Sequence, residues 1–182
     1  MKRIAQLVFL TAITLLSLAL EAKTDIKMGP VLEGYGPTSA IADADVKLPE
    51  GFVFKALFDI SESNKKHDQY SRKIESVARF LNMHARNGVS LENMQLAVVL
   101  HGGATKDVLN DEAYAKRHGF KNPNSDLIRQ LAAKGVNFYI CGQSVAFYDI
   151  KRSELLPEVK LSLSAMTMAV LLQQEGYQLI PF

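Results

Sequence analysis

The sequence predicts a doubly wound α/β fold, a mainly parallel sheet covered by helices on both sides. Two observations predict it: from Gly51 onward apolar runs alternate with amphipathic stretches, and several of the apolar runs have no polar face. Strands buried on both sides read as continuous apolar segments, and strand–helix alternation marks βαβ crossover units.

The elements follow in order. Residues 52–60 (FVFKALFDI) are rich in β-forming types and read as the first strand. Ser71, Ile74, Val77, Ala78, Leu81, His84 and Ala85 recur at helical spacing, so a helix is expected over residues 68–87, ended near Gly88. Residues 95–100 (QLAVVL) form the second strand and run into His101, Gly102 and Gly103. Asn124, Ser125 and Asp126 offer an N-cap for a helix over residues 127–134, which Gly135 stops. Residues 136–141 (VNFYIC) are the third strand, followed by a turn at Gly142 to Ser144 and a short helix. Residues 158–163 read as a short strand, Ser164 caps a helix reaching Glu175, and residues 177–180 are the last strand. The polar connection from Lys106 to Asn124, with Tyr114, Arg117 and His118, reads as a solvated helix and loop, with a lid as the alternative. The last helix is apolar nearly all round, through Met166, Met168, Val170, Leu171 and Leu172, and so needs burial by the core or by a partner subunit.

The chain begins differently. Lys2 and Arg3 precede an apolar run over residues 4–20, and small residues follow at Ala19 and Ala22, which is the pattern of a secretory signal peptide over residues 1–22. A retained anchor is the alternative, but the run is short and no later stretch of ~18 apolar residues follows. The expected location is periplasmic or secreted, with no stable membrane insertion once the signal is cleaved. Residues 23–50 hold six Gly and Pro positions and little periodicity, an irregular arm whose Val31, Leu32 and Tyr35 imply packing against the domain or a neighbouring subunit. Residues 51–182 then make one α/β domain.

Composition narrows the function classes. The 182 residues carry 21 basic and 19 acidic side chains, a balance that gives no reason to expect nucleic acid or an anionic membrane as partner. The histidines show no metal-ligand spacing and neither phosphate-binding glycine motif is complete, so no metal or cofactor is expected. His67, His84 and His118 fall on a loop or on helix surfaces. Cys141 is the single cysteine and cannot form an internal disulfide.

In open parallel sheets, ligands bind beyond the carboxyl ends of the strands. Three loops leave such ends: Asp59, Ser61, Glu62, Ser63 and Asn64 after the first strand; His101, Gly102, Gly103 and Ala104 after the second; Cys141, Gly142, Gln143 and Ser144 after the third. If the second and third strands flank the first, all three loops share one rim. A thiol at a strand end before a helix N-terminus has its pKa lowered toward the thiolate, with His101 as the natural proton acceptor. The alternatives are a buried, inert Cys141 and a loop-capping His101. The ligand-binding candidates are Gly102, Gly103, Gly142, Gln143, Ser144, Ser61 and Asn64.

Several of these segments together are familiar: VVLHGGAT at the second strand, KGV before FYICGQS, LLPEV after it and SAMTMAVLLQQEGYQLIPF at the end, with FKALFDI as a compatible first strand. From Val98 to Phe182 the chain resembles the DsrE/DsrF-like family, its exported members in particular. The resemblance implies a flavodoxin-like three-layer sandwich of about five mainly parallel strands and assembly into trimers or hexamers. In the family's sulfur-relay members a cysteine at the place of Cys141 carries sulfur as a persulfide between partner proteins, so a sulfur donor or acceptor protein is an implied partner. This chain departs from them in its export signal and in GQSVAFYDI after the cysteine. Two functions are therefore expected: a thiol protein that binds or relays sulfur through Cys141, or a non-catalytic oligomeric module that holds a small anionic ligand or a protein partner. A purely structural oligomer is a third.

Overall fold

The computed structural model describes residues 25–181; the expected signal peptide lies outside them. The chain enters through a short antiparallel pair, β1 (Ile26–Lys27) and β2 (Thr38–Ser39), within the arm expected to be irregular throughout. It then builds β3 (Phe54–Ile60), α1 (Arg72–Arg86), β4 (Met94–Leu100), α2 (Asp111–His118), α3 (Ser125–Ala133), β5 (Asn137–Cys141), α4 (Gly142–Phe147), β6 (Val159–Ser162), α5 (Ala165–Gln174) and β7 (Gln178–Ile180). Five parallel strands form one sheet in the order β6-β5-β4-β3-β7. This is a flavodoxin-like α/β sandwich. The chain steps outward from β3 to β6 and then crosses back to lay β7 on the other side of β3.

That order corrects one expectation: the third strand pairs with the second, not with the first. The rim survives the correction because all strands are parallel and their register is level. Ile60 pairs with Leu100, Leu100 with Ile140, and Cys141 with Ser162, so the loops leaving β3, β4 and β5 emerge side by side.

The two faces are covered unequally. Phe58, Val98 and Phe138 pack against Ile74, Val77 and Leu81 of α1 and Leu127 and Leu131 of α3 in the larger core. On the other face Leu57, Ala97 and Val99 meet Leu172 of α5 and Tyr177. Only Leu172 of α5 is buried, while Met166 and Val170 are 78% and 54% exposed, so the core of a single chain does not bury this helix.

Local chemistry moves some boundaries. The first helix starts at Arg72 because Ser71 is its cap: its side chain accepts from the Ile74 N–H, and its own N–H is taken by Asn124 Oδ1 at 2.6 Å. Asn124 stands at the N-cap position of α3 yet makes no capping bond, since its side chain is committed to Ser71 and Asp107. His84 is not on a helix surface; it is buried with its ring stacked on Phe80, centroids 3.9 Å apart. The connection after β4 is less solvated than its composition implies. Gly102–Val108 forms 3-10 turns, and Asp107 and Tyr114 are fully buried, with the Tyr114 hydroxyl donating to the His67 carbonyl at 2.8 Å.

The arm packs against α1 of its own domain. Buried Asn82 accepts from the N–H groups of Val31 and Leu32 and donates to the carbonyls of Leu32, Tyr35 and Gly36. Gly36 adopts φ +65° with its Cα against the α1 backbone, where an added Cβ would stand 2.4 Å from the Arg79 nitrogen. Replacing Asn82 by Ala strands five backbone groups, and an unmade buried hydrogen bond costs roughly 1–3 kcal/mol. With partial rehydration the expected loss for Asn82→Ala is about 3 kcal/mol in urea unfolding, with faster proteolysis before residue 50. A loss under about 1 kcal/mol would show that the arm is held by other contacts.

Candidate functional site

Cys141 ends β5 and is the N-cap residue of α4, and the residue is only 6% exposed. Burial is the largest single influence on the thiol and pushes its pKa up. Hydrogen bonds to the sulfur from the Ser144 hydroxyl and from the backbone N–H groups of Ser144, Ala165 and Gln143 act against it, and together they hold the thiol below its ordinary value. The donors come from two helices, Gln143 and Ser144 from α4 and Ala165 from the first position of α5. Amides at helix starts are the groups a helix leaves unpaired, and they carry the positive end of its dipole.

Two details make this convergence possible. Gly142 lies so close to β6 that a Cβ on it would meet the Ser162 carbonyl oxygen at 2.5 Å, which only glycine permits. On the other side, the Gly102 N–H donates to Ser144 Oγ at 3.0 Å. That bond holds Ser144 Oγ beside the sulfur, where the hydroxyl lowers the thiol's pKa. Gly102 holds φ +52°, with Ser61 O only 3.1 Å from where a Cβ would lie, so the turn after β4 also depends on glycine.

The candidates from the sequence divide accordingly. Gly102, Gly142, Gln143 and Ser144 gather around Cys141, and Ser61 supports the turn by accepting the Ala104 N–H at 3.1 Å. The Gln143 side chain itself points away, donating to the Leu163 carbonyl. Gly103 faces a neighbouring cavity of about 220 Å³. Asn64 braces its own loop, bonding to Gln69 and to the Tyr70 carbonyl. His101 stands at the level of Cys141 in the register, but its ring turns to Asp59, with Nε2 3.2 Å from Oδ1. That pair is close yet poorly aligned, so Oδ1 is left buried without a hydrogen-bond partner.

Sequence reasoning missed Ala165, whose contribution is a backbone amide, and Asp107. Burial pushes Asp107 above the usual carboxylate range, against the hydrogen bonds from Ser63, Lys106 and Asn124. Its Oδ1 accepts from Ser63 Oγ at 2.6 Å and Asn124 Nδ2 at 3.2 Å, tying the loops after β3 and β4 to the start of α3. Among the described residues, no group of His, Cys, Asp and Glu is arranged to hold a metal ion, and no helix is long and apolar enough to cross a membrane.

Comparison with known proteins identifies this architecture. A family model described as the DsrE/DsrF-like family matches residues 55–182. The chain belongs to the DsrE/DsrF-like family. A solved structure of a protein of unknown function, MTH1491 from Methanobacterium thermoautotrophicum, has a similar fold. It matches with a TM-score of 0.52 and 21% identity over 70% of this chain and 97% of that one. No curated protein matches the chain. The DsrE/DsrF-like model begins at Lys55, so the arm lies before it.

Ser144 is the decisive donor to test. Ser144→Ala removes one hydrogen bond to the sulfur and leaves the Gly102 N–H unpaired, so the Cys141 pKa moves up. Titrating the thiolate's ultraviolet absorbance in folded protein should show the rise, and iodoacetamide alkylation at neutral pH should slow several-fold. An unchanged titration would remove the hydroxyl from the account.

Proposed function

We propose that this DsrE/DsrF-like chain is an exported thiol protein that accepts and hands on sulfur at Cys141. The observation that carries the reading is the set of four donors converging on one buried sulfur, an arrangement that stabilises negative charge there. A thiolate is the nucleophilic form of cysteine. The reaction it supports is attack by the Cys141 thiolate on the outer sulfur of a sulfane donor such as thiosulfate. A new S–S bond forms at Cys141 as the donor's S–S bond breaks, and the bonding electron pair leaves with the donor, as sulfite in the case of thiosulfate. The product is a persulfide whose charge sits on the terminal sulfur, and no outside oxidant or reductant is required. Transfer to an acceptor protein's thiolate repeats the same exchange. The family's association with sulfur relay supports this reading, and the charged start and apolar run over residues 1–22 support export.

Self-association is the second part of the proposal. Leu163, just before α5, and Met166 and Val170 on it form an exposed apolar stripe, 71%, 78% and 54% accessible, which a lone chain leaves in water at a cost. The exposure of this stripe supports packing between copies, in the trimer or hexamer expected from the resemblance.

Two measurements test these points. The protein is expressed with its own leader in a Gram-negative host and recovered from the periplasm. Intact-mass analysis should then show a start after Ala22 and, after thiosulfate or polysulfide treatment, one added sulfur that Cys141→Ser abolishes. A retained leader would sink export, and an unmodified Cys141 would sink the sulfur chemistry. Light scattering should give a mass several times that of one chain, falling toward monomer for Met166→Glu. A monomeric wild type would end the self-association reading.

A further inference from the structure

The cavity beside Gly102 and Gly103 has features that the thiol chemistry does not use. At about 220 Å³ it falls below the roughly 300–1,000 Å³ of pockets that hold drug-sized ligands, so its occupant is small. Lys106, Arg117 and His118 line it, and no carboxylate does among the described residues. The acids that pair with two of these cations are not part of the lining. Asp107 is fully buried, 3.3 Å from Lys106 Nζ, and Glu154 takes Arg117 at 3.0 Å. The remaining wall, Leu109, Ile150 and Tyr148, is largely apolar, and apolar walls lower the local dielectric, which strengthens an ion's attraction to the basic groups.

One atom there is unexplained. His118 Nε2 is buried and has no hydrogen-bond partner. Burial first, and then the charges of His67, Lys106 and Arg117, hold this histidine below its ordinary pKa. Lys106 and Arg117 line the cavity together with His118, while His67 lies outside the lining, its ring 4.2 Å from that of His118. A buried polar atom without a partner is a cost that a ligand removes.

We propose that this cavity is a binding site for a small inorganic oxyanion, held by Lys106, Arg117 and His118 beside the Gly102–Gly103 turn. The anion accepts a hydrogen bond from His118 Nε2 and satisfies the donor capacity that Lys106 leaves over from Asp107 and Tyr114, its contacts at 3.3 and 3.5 Å. Cys141 does not line the cavity. The two sites share Gly102, whose N–H holds Ser144 against the sulfur. Only the choice of a sulfur oxyanion as the first probe rests on the sulfur-relay reading.

The test is isothermal titration of the full chain with thiosulfate, sulfite and phosphate in turn. Saturable binding of at least one is expected, weakened at least tenfold in Lys106→Gln and preserved in Cys141→Ser. Because Lys106 contacts buried Asp107, Arg117→Gln on the outer side of α2 provides a second variant with the same expected loss. Absence of saturable binding by all three anions, or unchanged affinity in the folded Arg117→Gln protein, overturns the site. Binding by Cys141→Ser while wild-type Cys141 gains no sulfur keeps this site and defeats the relay. Sulfur gain with no saturable binding does the reverse.

Discussion

The close approach of Gly142 to Ser162 is the constraint on which the site depends. Two adjacent parallel strands ordinarily lie about 4.8 Å apart, and the chain leaving β5 must turn at once into α4. With the Ser162 carbonyl oxygen where a side chain would begin, the turn stays tight and the end of β6 stays against it. Ser164, capping α5 through the Thr167 N–H at 3.0 Å, then starts that helix only two residues beyond β6. The Ala165 amide reaches the Cys141 sulfur as a result. A larger residue at position 142 would separate the two helix starts whose amides the sulfur shares.

Much of this was legible from sequence, and the limits have physical causes. The strands announced themselves because a parallel sheet covered on both faces needs continuous apolar runs, as in QLAVVL and NFYIC. The rim followed from the rule that ligands meet the carboxyl ends of such strands, so Cys141, Gly102 and Ser144 were identifiable. Ala165 was not, because backbone amides carry no residue signature and its proximity depends on β6 lying beside β5. Asp107 was hidden for a related reason. It sits in a polar stretch, and its partners Ser63 and Asn124 are 44 and 17 positions away. The direction of the His101 ring was also unreadable, since level register with Cys141 leaves it free to turn toward Asp59 on the other neighbouring strand.

The unequal cover of the sheet divides the molecule's work. One face is closed by α1, α3 and the clamped arm around a core with fully buried Phe138, Leu81 and Tyr114. The other carries α5, whose inner residues meet the sheet and whose outer stripe does not. The same helix offers its first amide to the sulfur. Any copy of the chain that packs on the stripe therefore presses on an element that helps to set the thiol's charge.

The bonds behind Cys141 run further than the sulfur's own neighbours. Ser63 and Asn124 hold Asp107, the turns from Gly102 to Val108 carry both Asp107 and Gly102, and the Gly102 N–H donates to Ser144 Oγ. The start of α4 beside the sulfur is thus moored to the turn after β4 by a single contact, so a substitution that loosens that turn reaches the thiol without touching it.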